Sequence, residues 1–82
     1  MNLDELLVDP ETREPLQRAT DAQLAAIRAA LVDGRARRAD GGETPAELEG
    51  AYLSHGGRWA YPVVDGFPSF VVEERLVLDE PV

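Results

Sequence analysis

The spacing of apolar positions changes twice along this chain, and each change marks a different kind of element. At the start Leu3, Leu6 and Leu7 recur at helical spacing. Asn2 stands as a candidate N-cap with Glu5 three residues on, which predicts one or two helical turns ending before Pro10. "DPETREP" then reads as a turn, and Leu16 to Ala19 as a short strand. The clearest helix covers residues 21–33: Thr20 and Gln23 form a capping box, Leu24, Ile27 and Leu31 share one face, and Gly34 sits at the C-terminal cap. That face is expected to pack on a sheet. Thr44-Pro45-Ala46-Glu47 repeats the cap logic and predicts a second short helix before Gly50.

From residue 51 the pattern turns to period two. Ala51–Ser54, Arg58–Val64 and Ser69–Val72 read as strands, joined by "HGG" and by the tight turn Asp65-Gly66. Pro62 cannot donate to a ladder, so its strand is expected at an edge or at a bulge. Pro68 favours an extended Phe67. The tail "EERLVLDEPV" suggests a helical turn or a loose strand.

Composition narrows the class. A chain of 82 residues builds one core, so residues 1–82 are expected to form a single domain. It has no cysteine, which removes disulfides, thiolate ligands and a cysteine nucleophile. The net charge of −8 repels phosphate backbones, so direct nucleic-acid binding is disfavoured. All eight bases are arginine; Arg35, Arg37 and Arg38 form the only basic cluster, read as a solvated loop that balances neighbouring acids. The first residues lack a signal-peptide pattern and no apolar run is long enough to span a bilayer, so the expected location is cytoplasmic, away from membranes.

Two segments carry a family resemblance. "LDELLVDPETREPL" and "YLSHGGRWAYPVVDGFPSFVVEERLVL" resemble the two halves of the small zinc-ribbon subunits that activate tRNA, rRNA and release-factor methyltransferases, and their short bacterial relatives. Leu6, Leu7, Pro10, Pro15 and Leu16 match the first half; Tyr61, Pro62, Val63, Asp65, Gly66, Phe67 and Pro68 match the second. The resemblance implies an α+β fold: a small antiparallel sheet of three to four short strands in a metal-free zinc-ribbon-like arrangement, with an inserted helix packed on it. The ribbon halves would be residues 1–19 and 51–75, and the helical insertion residues 20–50. At the four ligand positions of that family this chain has Asp9, Thr12, Ser54 and Gly57, a set from which a zinc site is not expected. A structural zinc contributes about 10 kcal/mol or more in small domains, so something must replace it, and the helical insertion is the expected substitute.

The sequence offers little for catalysis. His55 is the sole histidine, in a turn beside Ser54, and no motif adds an orienting group or a phosphate cradle. Asp65, Gly66 and Pro68 are read as a structural turn. The expectation is therefore a protein without enzymatic activity or cofactor. Four of the five aromatics, Trp59, Tyr61, Phe67 and Phe70, crowd into residues 58–72. By resemblance, the chain would bind and stabilise or activate a SAM-dependent methyltransferase through strand addition and apolar contact. The expected partner-binding residues are Trp59, Tyr61, Pro62, Phe70, Val71 and Val72. Phe70 is the expected exposed anchor and Phe67 the inward-facing residue. A homodimer through an exposed strand edge, and a stand-alone binding domain without a methyltransferase, are the competing readings.

Overall fold

The structure is a computed structural model that describes residues 8–45 and 47–82. The proposed helical turns at residues 2–7 lie outside those residues. In chain order the elements are β1 (Gln17–Arg18), α1 (Asp21–Asp33), β2 (Ala36–Arg38), β3 (Gly50–Ser54), β4 (Trp59–Val64), β5 (Phe67–Pro68) and β6 (Leu76–Leu78).

The expected sheet of three to four strands is corrected to a six-stranded antiparallel sheet in the order β1-β3-β4-β6-β2, with β5 pairing β4. The fold is mainly sheet, and α1 is the one α-helix among the described residues. Neither is the insertion an appendage between two ribbon halves. Its own strand β2 pairs with β6 from the tail, Ala36 opposite Leu78 and Arg38 opposite Leu76, so insertion and tail are woven into one sheet. Strands of two or three residues are too short to display a period, which is why β2 reads as loop and the tail holding β6 reads equally as a helical turn or a loose strand.

The helix forms as its sequence dictates. The Thr20 hydroxyl accepts from Gln23 N at 3.1 Å, Gln23 Oε1 accepts from Thr20 N at 2.9 Å, and Gly34 takes the left-handed cap conformation at φ 75°. The second helix expected near residue 45 is absent on either side of position 46. Instead Leu48 is buried in the core and its carbonyl accepts from the Arg28 guanidinium, which holds this loop against α1.

Alternation along the strands gives the sheet two differently filled faces. On the helix side Leu24, Ile27 and Ala30 pack with Ala36, Leu48, Ala51, Leu53, Ala60, Leu76 and Leu78. The alanines of the sheet leave room for the helix to approach closely. On the opposite side Tyr52 and Tyr61 pack with Leu16, and Val63 and Phe70 close over them.

Pro62 is not at an edge, as the sequence suggested, but buried in β4 between β3 and its neighbours. It sits where the far neighbour of β4 changes from β6, opposite Trp59 and Ala60, to β5, opposite Val63 and Val64. Its carbonyl points to that side and accepts Ser69 N at 2.9 Å. The N–H that proline lacks is needed by neither strand at the changeover. Ser69–Val72 is likewise not a strand: β5 is Phe67–Pro68, and Val72–Glu74 form a 3-10 turn that leads into β6.

Candidate functional site

The turn expected from "DPETREP" folds around a carboxylate. Pro10 follows Asp9 and has no N–H of its own, and the next two amides turn back to the side chain: Glu11 N donates to Asp9 Oδ1 at 2.7 Å and Thr12 N at 3.1 Å. Asp9 is fully buried on the aromatic face of the sheet. There Ser54 Oγ at the end of β3 donates to Asp9 Oδ2 at 2.6 Å, and the Tyr61 hydroxyl of β4 donates to the same oxygen at 3.0 Å. The strand period puts Ser54, Tyr61 and Arg75 on this one face. Arg75 Nη1 reaches the Tyr61 hydroxyl at 3.4 Å and Nη2 the Glu11 carboxylate at 3.4 Å. Its guanidinium carbon lies 3.5 Å from the centre of the Trp59 ring, on which the His55 ring stacks at 4.3 Å.

Burial pushes the Asp9 carboxyl up, but the hydrogen bonds from Ser54, Thr12, Glu11 and Tyr61 outweigh it and hold the group below its ordinary value. The Tyr61 hydroxyl is pushed up, first by burial and also by the Asp9 charge it faces. Arg75 is held above its ordinary value despite its burial, by Tyr61 and Glu11. Asp9 is thus a charged acceptor in the folded state. A group whose folded value is depressed stabilises the fold above its unfolded value, about 4, and that contribution is lost as the pH falls through the folded value. Urea midpoints taken from neutral pH downward should therefore fall more steeply for the wild type than for Asp9→Asn. Parallel curves would show that Asp9 contributes no acid sensitivity.

Ser54 and His55 do not form a nucleophile–base pair. Ser54 is buried and donates its hydroxyl to Asp9 directly, with no histidine between them, while His55 is exposed and stacked on Trp59. Three of the four positions that the resemblance assigns to a metal do come together: Asp9, the Thr12 amide and Ser54. Their donor set is wrong for zinc, and no group of three or more histidine, aspartate or glutamate side chains that could hold an ion occurs among the described residues. Gly57 meets the C-terminal segment instead, where its carbonyl accepts Val82 N at 3.1 Å.

The residues expected to face a partner divide. Tyr61 and Pro62 are buried and unavailable, a correction that follows from the central position of β4. Trp59, Phe70 and Val72 are half-buried, and Val71 is exposed. The expected roles of the two phenylalanines are exchanged. Asp65 (φ 53°) and Gly66 (φ 79°) are both left-handed, so the turn is a two-residue hairpin loop that sets Phe67 opposite Val64, outside the helix-facing cluster. Phe67 is 77% exposed. Phe70 folds back onto the tyrosines, with ring centres 5.5 Å from Tyr52 and 6.0 Å from Tyr61. The Gly66 amide donates to Glu49, which ties this hairpin tip to the loop before β3.

Arg35, Arg37 and Arg38 lie at and around edge strand β2 rather than in a loop, paired with Asp33 at 2.9 Å, Asp79 at 3.2 Å and Asp40 at 2.6 Å. Arg75, which sequence reasoning missed, is detectable only once β6 is known to be a strand, because its place two residues before Val77 puts it on the aromatic face. No helix among the described residues is long and apolar enough to cross a membrane.

No known family model matches this chain, and no curated protein matches it. Among solved structures it is similar to the solution NMR structure of XF2673 from Xylella fastidiosa, a structural genomics target. The two share 31% sequence identity and a TM-score of 0.69, over 92% of this chain and 77% of that one.

Proposed function

We propose, from the resemblance of its two sequence segments to the methyltransferase activators, that this chain, which belongs to the same family as XF2673 of Xylella fastidiosa, is a non-catalytic subunit that binds and stabilises or activates a SAM-dependent methyltransferase. The observation that carries the reading is the hairpin tip. Phe67 (77% exposed), Pro68 and Val71 (47% exposed) present apolar surface just after the Asp65-Gly66 turn, at the end of the motif that resembles the methyltransferase activators. Strand β5 has β4 on one side and no strand on the other, but it is two residues long and Pro68 has no N–H to offer, so the contact at this tip rests on the apolar anchor rather than on strand addition. The polar cluster at Asp9 supports a non-catalytic role, because its oxygens are engaged in holding the fold together.

Co-expression with SAM-dependent methyltransferases from the same cell tests the proposal, scored by the soluble yield of the enzyme and by its affinity for the methyl donor. Phe67→Ala is expected to weaken the complex by about 2 kcal/mol or more while leaving the melting temperature of the free domain unchanged. Phe70→Ala should instead destabilise the free domain, because its ring covers Tyr52 and Tyr61. If no methyltransferase gains solubility or donor affinity, the stand-alone domain is the better reading.

A further inference from the structure

We infer that the Asp9 carboxylate is a built-in replacement for a structural metal, joining the N-terminal turn to the β3–β4 hairpin through hydrogen bonds. The comparison with zinc rests on the resemblance of the two sequence halves; the cross-link itself rests on geometry and is independent of any methyltransferase.

A structural zinc ties distant pieces of a small chain to one point, and Asp9 does the same. Its oxygen Oδ1 closes its own turn through Glu11 N and Thr12 N, as a metal knuckle would. Its oxygen Oδ2 reaches Ser54, 45 residues away, and Tyr61, 52 residues away. Each oxygen has two donors, so the lone pairs of the carboxylate are filled and none is left for a cation. A buried anion is tolerated only when its hydrogen bonds are complete, and these four are. Arg75 stands behind Tyr61 and supplies the positive charge of the cluster.

The fourth position is closed to a ligand. Gly57 has φ +86°, and a Cβ built on it would fall 2.5 Å from the Val82 carbonyl oxygen. No L-residue with a ligating side chain fits there unless the C-terminal segment moves. The packed glycine is a separate feature from the carboxylate cluster, since Val82 packs with the helix-facing residues and its carbonyl accepts from Gln23.

The test uses Ser54→Ala, Tyr61→Phe and Asp9→Asn, followed by urea unfolding and by amide hydrogen exchange. Each of the first two variants removes one donor to a charged acceptor and should raise the unfolded-to-folded ratio by about tenfold or more. The Glu11 and Thr12 amides should exchange faster than those of α1, because the turn they close is released before the helix melts. The melting temperature of the wild type should not respond to zinc or to chelator. If Asp9→Asn fails to fold, the two milder variants still decide the matter. Unchanged urea midpoints in both would overturn the inference, as would lost stability without selective exchange at Glu11 and Thr12, which would mean ordinary core packing. Stoichiometric zinc binding by the wild type that raises its melting temperature would overturn it equally.

Discussion

Tyr61→Ala should be the most damaging single substitution in this domain, at about 3–5 kcal/mol or more, because it combines a cavity with an orphaned polar cluster. Tyr61 is fully buried, and its ring lies under Phe70 and beside Tyr52 and Leu16. Removing it empties the centre of the aromatic face. It also strips Asp9 of one of its two long-range donors and Arg75 of the hydroxyl it reaches. Since small domains are stable by only about 5–15 kcal/mol, the variant should be largely unfolded in mild denaturant. Urea unfolding of Tyr61→Ala beside Tyr61→Phe separates the ring from the hydroxyl. A loss under about 1 kcal/mol for the alanine variant would show that the aromatic face is loosely packed.

The second large effect lies on the opposite face. Ile27→Ala is expected to cost about 2–5 kcal/mol, since Ile27 is fully buried at the centre of the helix-facing cluster, where the alanines of β2, β3 and β4 leave little freedom to collapse into a cavity. Leu24→Ala should act in the same direction. A neighbouring control is Val32→Ala: Val32 is 87% exposed, and the change should be close to neutral. Should Ile27→Ala also change the urea midpoint by less than about half a kcal/mol, the helix would not be a structural layer, and its apolar stripe would have to serve a partner.

The two substitutions probe two layers that carry different functions. The helix layer is apolar and filled with small side chains, which gives the sheet a rigid back. The aromatic layer holds the polar cluster and leads to the hairpin tip where Phe67 projects. Under the proposed docking, rigidity at that tip would limit the freedom lost on binding. Gly66 N bonded to Glu49 and Ser69 N bonded to Pro62 O brace the two sides of the hairpin.

The local features of this protein were determined by its sequence. The capping box at Thr20 and Gln23, the stripe Leu24/Ile27 and the C-cap at Gly34 specify α1 from one end to the other, because each depends on residues within one or two turns. The Asp65-Gly66 turn is equally local: both residues are left-handed, as a two-residue type I′ hairpin loop requires. The meeting of Asp9 with Ser54 had a trace in the sequence, since both fall on the ligand positions of the resembling family. What tertiary structure alone decided is everything that depends on pairing across the chain. Strands β2 and β6 are three residues each and acquire their identity from one another. Pro62 is tolerated in a central strand because the neighbour of β4 changes there, a fact no stretch around Pro62 contains. Phe67 and Phe70 have the same apolar side chain three residues apart. Which one is covered depends on where the 69–75 segment folds back over Tyr52 and Tyr61, so burial at a sheet end is set by the long-range path of the chain and not by the residue itself.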